Sequence, residues 1–177
     1  MSKIINFGEK KEEFPSDTPK VLLYHGSNLE IDSPIIVKGK YTKDFGIGFY
    51  LTNNEQQAVK FVQKFIRGRS RGVVNVYEYL PSKLDKLAIK IFPIMTEEWL
   101  DFIIDCRLGV EHEYDMVEGP MADDQIWNHV TSLVDGLIDR EMFWKYAKFN
   151  YPTHQICLTS DISLESIKFE RSYEVIV

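Results

Sequence analysis

Cysteine is scarce in this chain. Its 177 residues hold only Cys106 and Cys157, far apart and without paired spacing, which excludes a disulfide framework and a thiolate zinc site. Long hydrophobic runs are also missing. Nothing approaches the roughly 18 consecutive apolar residues of a membrane helix. Residues 1–14 are polar and charged, so no secretory signal is expected and the cytoplasm is the expected location. Positive charge is in the minority, with 21 Lys and Arg against 27 Asp and Glu and a net charge of -6. A net acidic chain gains nothing from counterion release along a phosphate backbone, so general nucleic-acid coating is not expected. The one basic cluster, Lys64, Arg67, Arg69 and Arg71, reads as a helix end whose cations complement the dipole. No phosphate-cradling loop is present, because Gly46-Ile47-Gly48 lacks the later glycine and lysine. Glu111, His112, Glu113 and Asp115 are metal-ligand types. Alternate side chains of an extended segment diverge, however, so no metal site is expected there. Repeats and low-complexity segments are absent.

What remains is an ordinary globular composition, 44% hydrophobic and 27% charged. The length suits one domain, expected over residues 21–177 behind a polar arm at 1–20 that ends in Pro15 and Pro19. Val21 to His25 is a short apolar run stopped by Gly26, a strand entering a turn. A long polar loop follows over 27–44. Ile47 to Leu51 reads as a second strand, with Gly48, Tyr50 and Thr52 on one face and Phe49 and Leu51 on the other. Asn53 or Asn54 then caps a helix striped by Ala58, Phe61, Val62, Phe65 and Ile66 and ended by Gly68.

Val73 to Leu80 is a third strand. Thr96 starts a second helix, Asp115 to Glu118 is a short strand, and Asp123 or Asp124 caps a third helix. A fourth helix covers about 140–148. Gln155 to Thr159 is a further strand, and if Ile156 and Leu158 pack inward, Gln155, Cys157 and Thr159 face the other way. Ile167 to Val177 alternates, with Ile167, Phe169, Tyr173 and Val175 on one face and Arg171 as the exception. Such alternation suits an antiparallel sheet with one wet face. Strands and helices do not alternate regularly, which argues against a doubly wound parallel sheet and for an α+β fold.

Tyr24-His25-Gly26 is answered by Gly48-Phe49-Tyr50 on the next strand. Together they supply an imidazole, exposed backbone at a glycine and an aromatic ring. These are the parts that hold a flat aromatic amide and its ribose, as cleavage of NAD requires. The scissile bond breaks as positive charge develops on the sugar, so a site must fix nicotinamide, orient ribose and stabilise that cation. A ring stacks on the pyridine face, a glycine backbone pairs with the carboxamide, and an imidazole bonds a ribose hydroxyl. Gln155 is the best-placed residue to reach a second hydroxyl.

The blocks Leu23-Tyr24-His25-Gly26-Ser27, Asp44 through Thr52, Tyr114-Asp115 with Gly119 and Ala122-Asp123-Asp124, and Gln155 resemble ADP-ribosyltransferases of the His-Tyr-Glu type. Those include diphtheria toxin and the poly-ADP-ribose polymerases. More closely, the blocks resemble the bacterial domain of unknown function 3990 family, which is grouped with these enzymes, over about residues 21–169. The resemblance implies a split antiparallel sheet with flanking helices around an NAD cleft. The resemblance assigns His25 and Gly26 to ribose and carboxamide and Tyr50 to stacking under nicotinamide, with Ser27, Gly48 and Thr52 as further cofactor-binding candidates. It implies NAD as substrate, no metal, an acceptor of unidentified class, and by analogy a toxin or regulatory role.

The departure is at the third position, where the better-studied enzymes carry Glu and this chain has Gln155. Glutamine bonds a hydroxyl but is no general base near neutral pH, so activation of an acceptor falls to Asp123 or Asp124. The substitution also motivates an alternative, a non-catalytic NAD or ADP-ribose binding module; a third reading is an NAD glycohydrolase, in which water is the acceptor. Each candidate has a plain structural reading as well: His25 a strand-end histidine, Tyr50 a sheet tyrosine, Gln155 a strand residue, and Asp123 or Asp124 a helix cap.

Overall fold

A computed structural model of the chain describes residues 20–37, 43–147 and 153–176. The expected arm, apart from residue 20, lies outside those residues, as do 38–42 of the long loop, position 148 of the expected fourth helix and position 177. The elements in order are β1 (Leu22–Ser27), β2 (Phe49–Leu51), α1 (Glu55–Arg67), β3 (Val73–Tyr79), a 3-10 turn (Pro81–Lys86), β4 (Ile89–Ile91), α2 (Glu97–Arg107), β5 (Met116–Pro120), α3 (Asp124–Val134), α4 (Arg140–Ala147), β6 (His154–Leu158), α5 (Asp161–Leu164) and β7 (Ile167–Glu174).

The strands form two sheets, β1-β3-β7 and β2-β6-β5-β4. The first is antiparallel throughout. In the second, β4 runs parallel to β5, which departs from the all-antiparallel expectation. The reason is α2, which carries the chain from the end of β4 back to the start of β5 as a helical crossover. Among the described residues one backbone bridge links the two sheets. Tyr24 N donates to Thr52 O at 2.8 Å and Thr52 N to Tyr24 O at 3.0 Å, beside His25 and Gly26.

Hydrophobic layers hold this arrangement. Leu23, Phe49, Leu51, Tyr77, Met116, Ile156, Leu158 and Ile167 fill the space between the sheets. On the outer face of the first sheet, Ala58 and Val62 of α1 pack on Val74 and Val76. On the outer face of the second, Trp99, Ile103, Ile126, Val130 and Phe143 of α2, α3 and α4 cover Val117 and Cys157. The caps follow from side chains that satisfy free N–H groups of the first turn. Asn54, not Asn53, accepts from Gln57 N at 3.3 Å. Thr96 accepts from Trp99 N at 3.2 Å.

β7 corrects the alternation read from sequence. A bulge between the Val76 and Tyr77 positions pairs Tyr77 with Phe169 but Val76 with Arg171. The extra residue flips the phase. Ile167 and Phe169 therefore join the inter-sheet layer, while Tyr173 and Val175 face the α1 side.

Gly48 is where β2 enters the sheet beside β6. A Cβ there would stand 2.5 Å from the Leu158 carbonyl oxygen and against the Cys157 sulfur. Backbone cannot step aside cheaply, so we expect Gly48→Ala to cost about 2 kcal/mol and to lower the melting temperature by roughly 4–8 °C. An unchanged thermal melt would refute this packing role.

Candidate functional site

A cavity of about 330 Å³ opens at the seam where β1 and β2 meet, closed by α1 on one side and by Met121 and Ala122 on the other. His25, Gly26, Tyr50, Thr52 and Gln155 all line it. Ser27, Gly48, Asp123 and Asp124 do not. Ser27 Oγ accepts from Leu29 N at 3.3 Å and holds the exit of β1. Gly48 is filled by β6, as described. Asp123 is the N-cap of α3, accepting from Gln125 N at 3.1 Å and Ile126 N at 2.9 Å, and Asp124 is exposed in the first helical turn. Neither supplies a carboxylate to the cavity.

The His25 ring stacks on Phe49, with centroids 4.4 Å apart. Its Nδ1 lies 2.6 Å from the Tyr50 carbonyl oxygen. A carbonyl only accepts, so Nδ1 carries the proton and Nε2 is left as an acceptor. Burial pushes the imidazole down to about pKa 4, against a smaller opposing pull from the Tyr50 carbonyl. The ring is therefore neutral at pH 7. Gly26 lies under α1. A Cβ there would meet Ala58 O at 2.9 Å, so helix packing alone demands this glycine.

The Tyr50 hydroxyl is committed. It donates to Gly46 O at 2.8 Å and accepts from Phe45 N at 3.0 Å, fixing a turn in which Gly46 has φ of 77°. Burial raises its pKa well above the ordinary tyrosine value, so the phenol does no acid–base work near neutrality. One ring face carries the Lys43 ammonium, 4.6 Å from the centroid. Thr52 Oγ1 lies 2.7 Å from Gln57 Oε1 and 3.3 Å from His154 O.

Gln155 is buried on β6, which is covered on both faces. Ile156 and Leu158 point between the sheets, as expected. On the opposite side Cys157 is sealed by the helices and Gln155 lines the cavity. Gln155 Nε2 donates to Asp44 Oδ2 at 2.9 Å. The same oxygen accepts from Ala122 N at 2.9 Å, and Oδ1 takes Arg107 Nε at 3.1 Å together with its Nη2. The Arg107 guanidinium lies 3.4 Å from the Trp127 ring centroid. Asp44 is the only carboxylate lining the cavity among the described residues.

Sequence reasoning missed Asp44 and Arg107 as site residues. Asp44 sits next to a recognisable block, but nothing in its neighbours announces burial. Arg107 at the end of α2 looks like any cation at a helix C-terminus. Lys64, read as part of a basic helix end, stands exposed in the last turn of α1 and also lines the cavity, with Nζ 3.5 Å from the Phe61 ring centroid. The other segments weighed from sequence are occupied structurally. His112 Nε2 lies 3.2 Å from Phe45 O, Asp115 accepts from Ala88 N at 2.9 Å, and Ser160 caps α5.

The family model described as Protein of unknown function (DUF3990) matches residues 21–169, from β1 into β7. The chain belongs to this family. Within the DUF3990 match fall every lining residue of the cavity and all of the Asp44 hydrogen bonds. No curated protein and no solved structure matches the chain. Among the described residues of this DUF3990 protein, no helix is long and apolar enough to cross a membrane.

Proposed function

We propose that this protein binds NAD by its nicotinamide end in the seam cavity and acts as a mono-ADP-ribosyltransferase, breaking the nicotinamide–ribose bond and passing ADP-ribose to an acceptor. One observation carries the reading. His25, Gly26, Tyr50 and Gln155, the first and last 130 positions apart in sequence, line a single cavity. The resemblance to His-Tyr-Glu type ADP-ribosyltransferases supports it. The volume is at the low end of ligand pockets and suits one end of a dinucleotide.

The chemistry is consistent with the residues. Nicotinamide leaves as a neutral molecule and needs no proton, so a site that orients ribose and tolerates a developing cation suffices. A neutral His25 accepts from a ribose hydroxyl through Nε2. The Tyr50 ring carries the Lys43 ammonium on one face, so its π-system accepts a cation, and a pyridinium that takes the place of that ammonium makes a contact of the same kind. Lys43 and Lys64 line the same cavity and favour the phosphates. Gln155 takes the place of a base with an amide, which stabilises but does not deprotonate. That observation favours a second reading, binding of NAD or ADP-ribose without transfer. Hydrolysis to free ADP-ribose is the remaining outcome.

Nicotinamide release from NAD, followed with and without candidate acceptors, separates these. Release that depends on acceptor supports the transferase; release to free ADP-ribose alone marks a glycohydrolase; binding without release marks the module. Tyr50→Leu and His25→Ala should each weaken binding or turnover by roughly ten- to a hundredfold, the loss of a stacking ring or an oriented hydrogen bond. Tyr50→Phe, which keeps the ring, should lose less. A wild-type protein that neither binds NAD nor releases nicotinamide ends the proposal.

A further inference from the structure

We propose that Asp44 is the positioning residue of this site, acting through Gln155: it fixes the Gln155 amide so that Oε1, and not Nε2, is presented to the cavity. A carboxylate can only accept, so the amide edge 2.9 Å from Asp44 Oδ2 must be the NH₂. The oxygen then lies on the other edge. Gln155 Oε1 has no hydrogen-bond partner among the described residues, yet no side-chain oxygen or nitrogen there is both fully buried and unsatisfied. Oε1 is therefore reached from the cavity that Gln155 lines.

Asp44 is itself pinned. Arg107 holds one oxygen, and Ala122 N and Gln155 share the other. With its acceptor positions taken by α2, β6 and the loop between β5 and α3, Asp44 has no role as a base toward a ligand. What it sets is the polarity of Gln155. An amide free to turn offers donor and acceptor equally; one tied to a carboxylate offers only its carbonyl. The position so built selects a ligand group that donates, such as a sugar hydroxyl, and disfavours one that only accepts. With NAD as ligand this rests on the reading given under Proposed function, but the orientation of the amide does not.

The test has two arms. In the first, Asp44→Asn, Gln155→Ala and the double variant are compared for NAD affinity and nicotinamide release. Each single change should cost about tenfold or more, the low end for a lost hydrogen bond to a charged group. The double variant should be no worse than Gln155→Ala alone, because Asp44 works through that side chain. Losses that multiply overturn the proposal. In the second arm the Gln155 side-chain amide is followed by nitrogen NMR, assigned in wild type by through-bond correlation to the Gln155 backbone. In wild type its NH₂ protons should exchange slowly compared with those of the exposed Gln56, and in Asp44→Asn that protection should fall. Fast exchange in wild type refutes the proposal outright, whether or not any variant folds. If wild type ignores NAD, the functional reading fails and this arm alone decides the role of Asp44.

Discussion

Gln155→Glu should destabilise the protein by about 3 kcal/mol at pH 7 and by little at pH 4. The amide nitrogen that would become a carboxyl oxygen lies 2.9 Å from Asp44 Oδ2. Two ionised carboxylates at that separation repel, and burial adds a desolvation cost. The new carboxyl is therefore held protonated to higher pH in the folded state than in the unfolded chain. A rise of two pKa units corresponds to about 3 kcal/mol. The folded state then binds more protons than the unfolded state above about pH 4, so stability falls as pH rises from there through the raised pKa. Below that window the protonated carboxyl donates to Asp44 as the amide did, and the penalty vanishes. Urea denaturation of wild type and variant from pH 4 to 8 reads this directly. A stability difference that stays flat across the range would contradict it. Beside Asp44, which among the described residues pairs with one cation, Arg107, a glutamate would be a second buried acid, and glutamine avoids that repulsion.

The second large effect has the opposite slope. His25 is held neutral, with its pKa down at about 4 against 6.5 for an ordinary histidine. Between those values the unfolded chain binds the proton and the folded protein does not. Stability that is full above about pH 6.5 is therefore lost as pH falls toward 4. We expect a loss of about 2 kcal/mol, after allowing for the solvent that reaches the ring. His25→Asn retains a donor for the Tyr50 carbonyl, 2.6 Å from Nδ1, but does not titrate. The stability difference between wild type and His25→Asn should therefore shrink or reverse by about that amount between pH 7.5 and pH 4.5. If the two proteins track each other in parallel, the imidazole is not buried as described.

Much of this fold could be read in the sequence because short-range signals were strong. Asn54, Thr96 and Asp123 cap where capping residues precede apolar stripes. The strand around Tyr50 was legible from its alternation. The failures came from tertiary partners that local patterns do not encode. β4 is three residues long and takes its place only by pairing with β5. The bulge opposite Val76 and Tyr77 splits one apparent stripe of β7 between two cores. Gly48, a cofactor-binding candidate from sequence, is instead packed against Cys157 and the Leu158 backbone.

The site was legible in the same uneven way. His25, Gly26, Tyr50, Thr52 and Gln155 line one cavity, while Ser27 and Gly48 do not. A cap and a catalytic carboxylate are the same residue type, which is why Asp123 and Asp124 were candidates. The carboxylate in the cavity, Asp44, is instead named by its distance from Gln155, Ala122 and Arg107, and that is a property of the folded chain alone.

The most direct test of the central claim is a calorimetric titration of NAD into wild type and Tyr50→Leu at neutral pH. Saturable one-site binding to wild type, lost or strongly weakened in the variant, is the expected result. No heat with wild type, or equal affinity in the two proteins, would contradict the claim that this cavity grips the nicotinamide end of the dinucleotide.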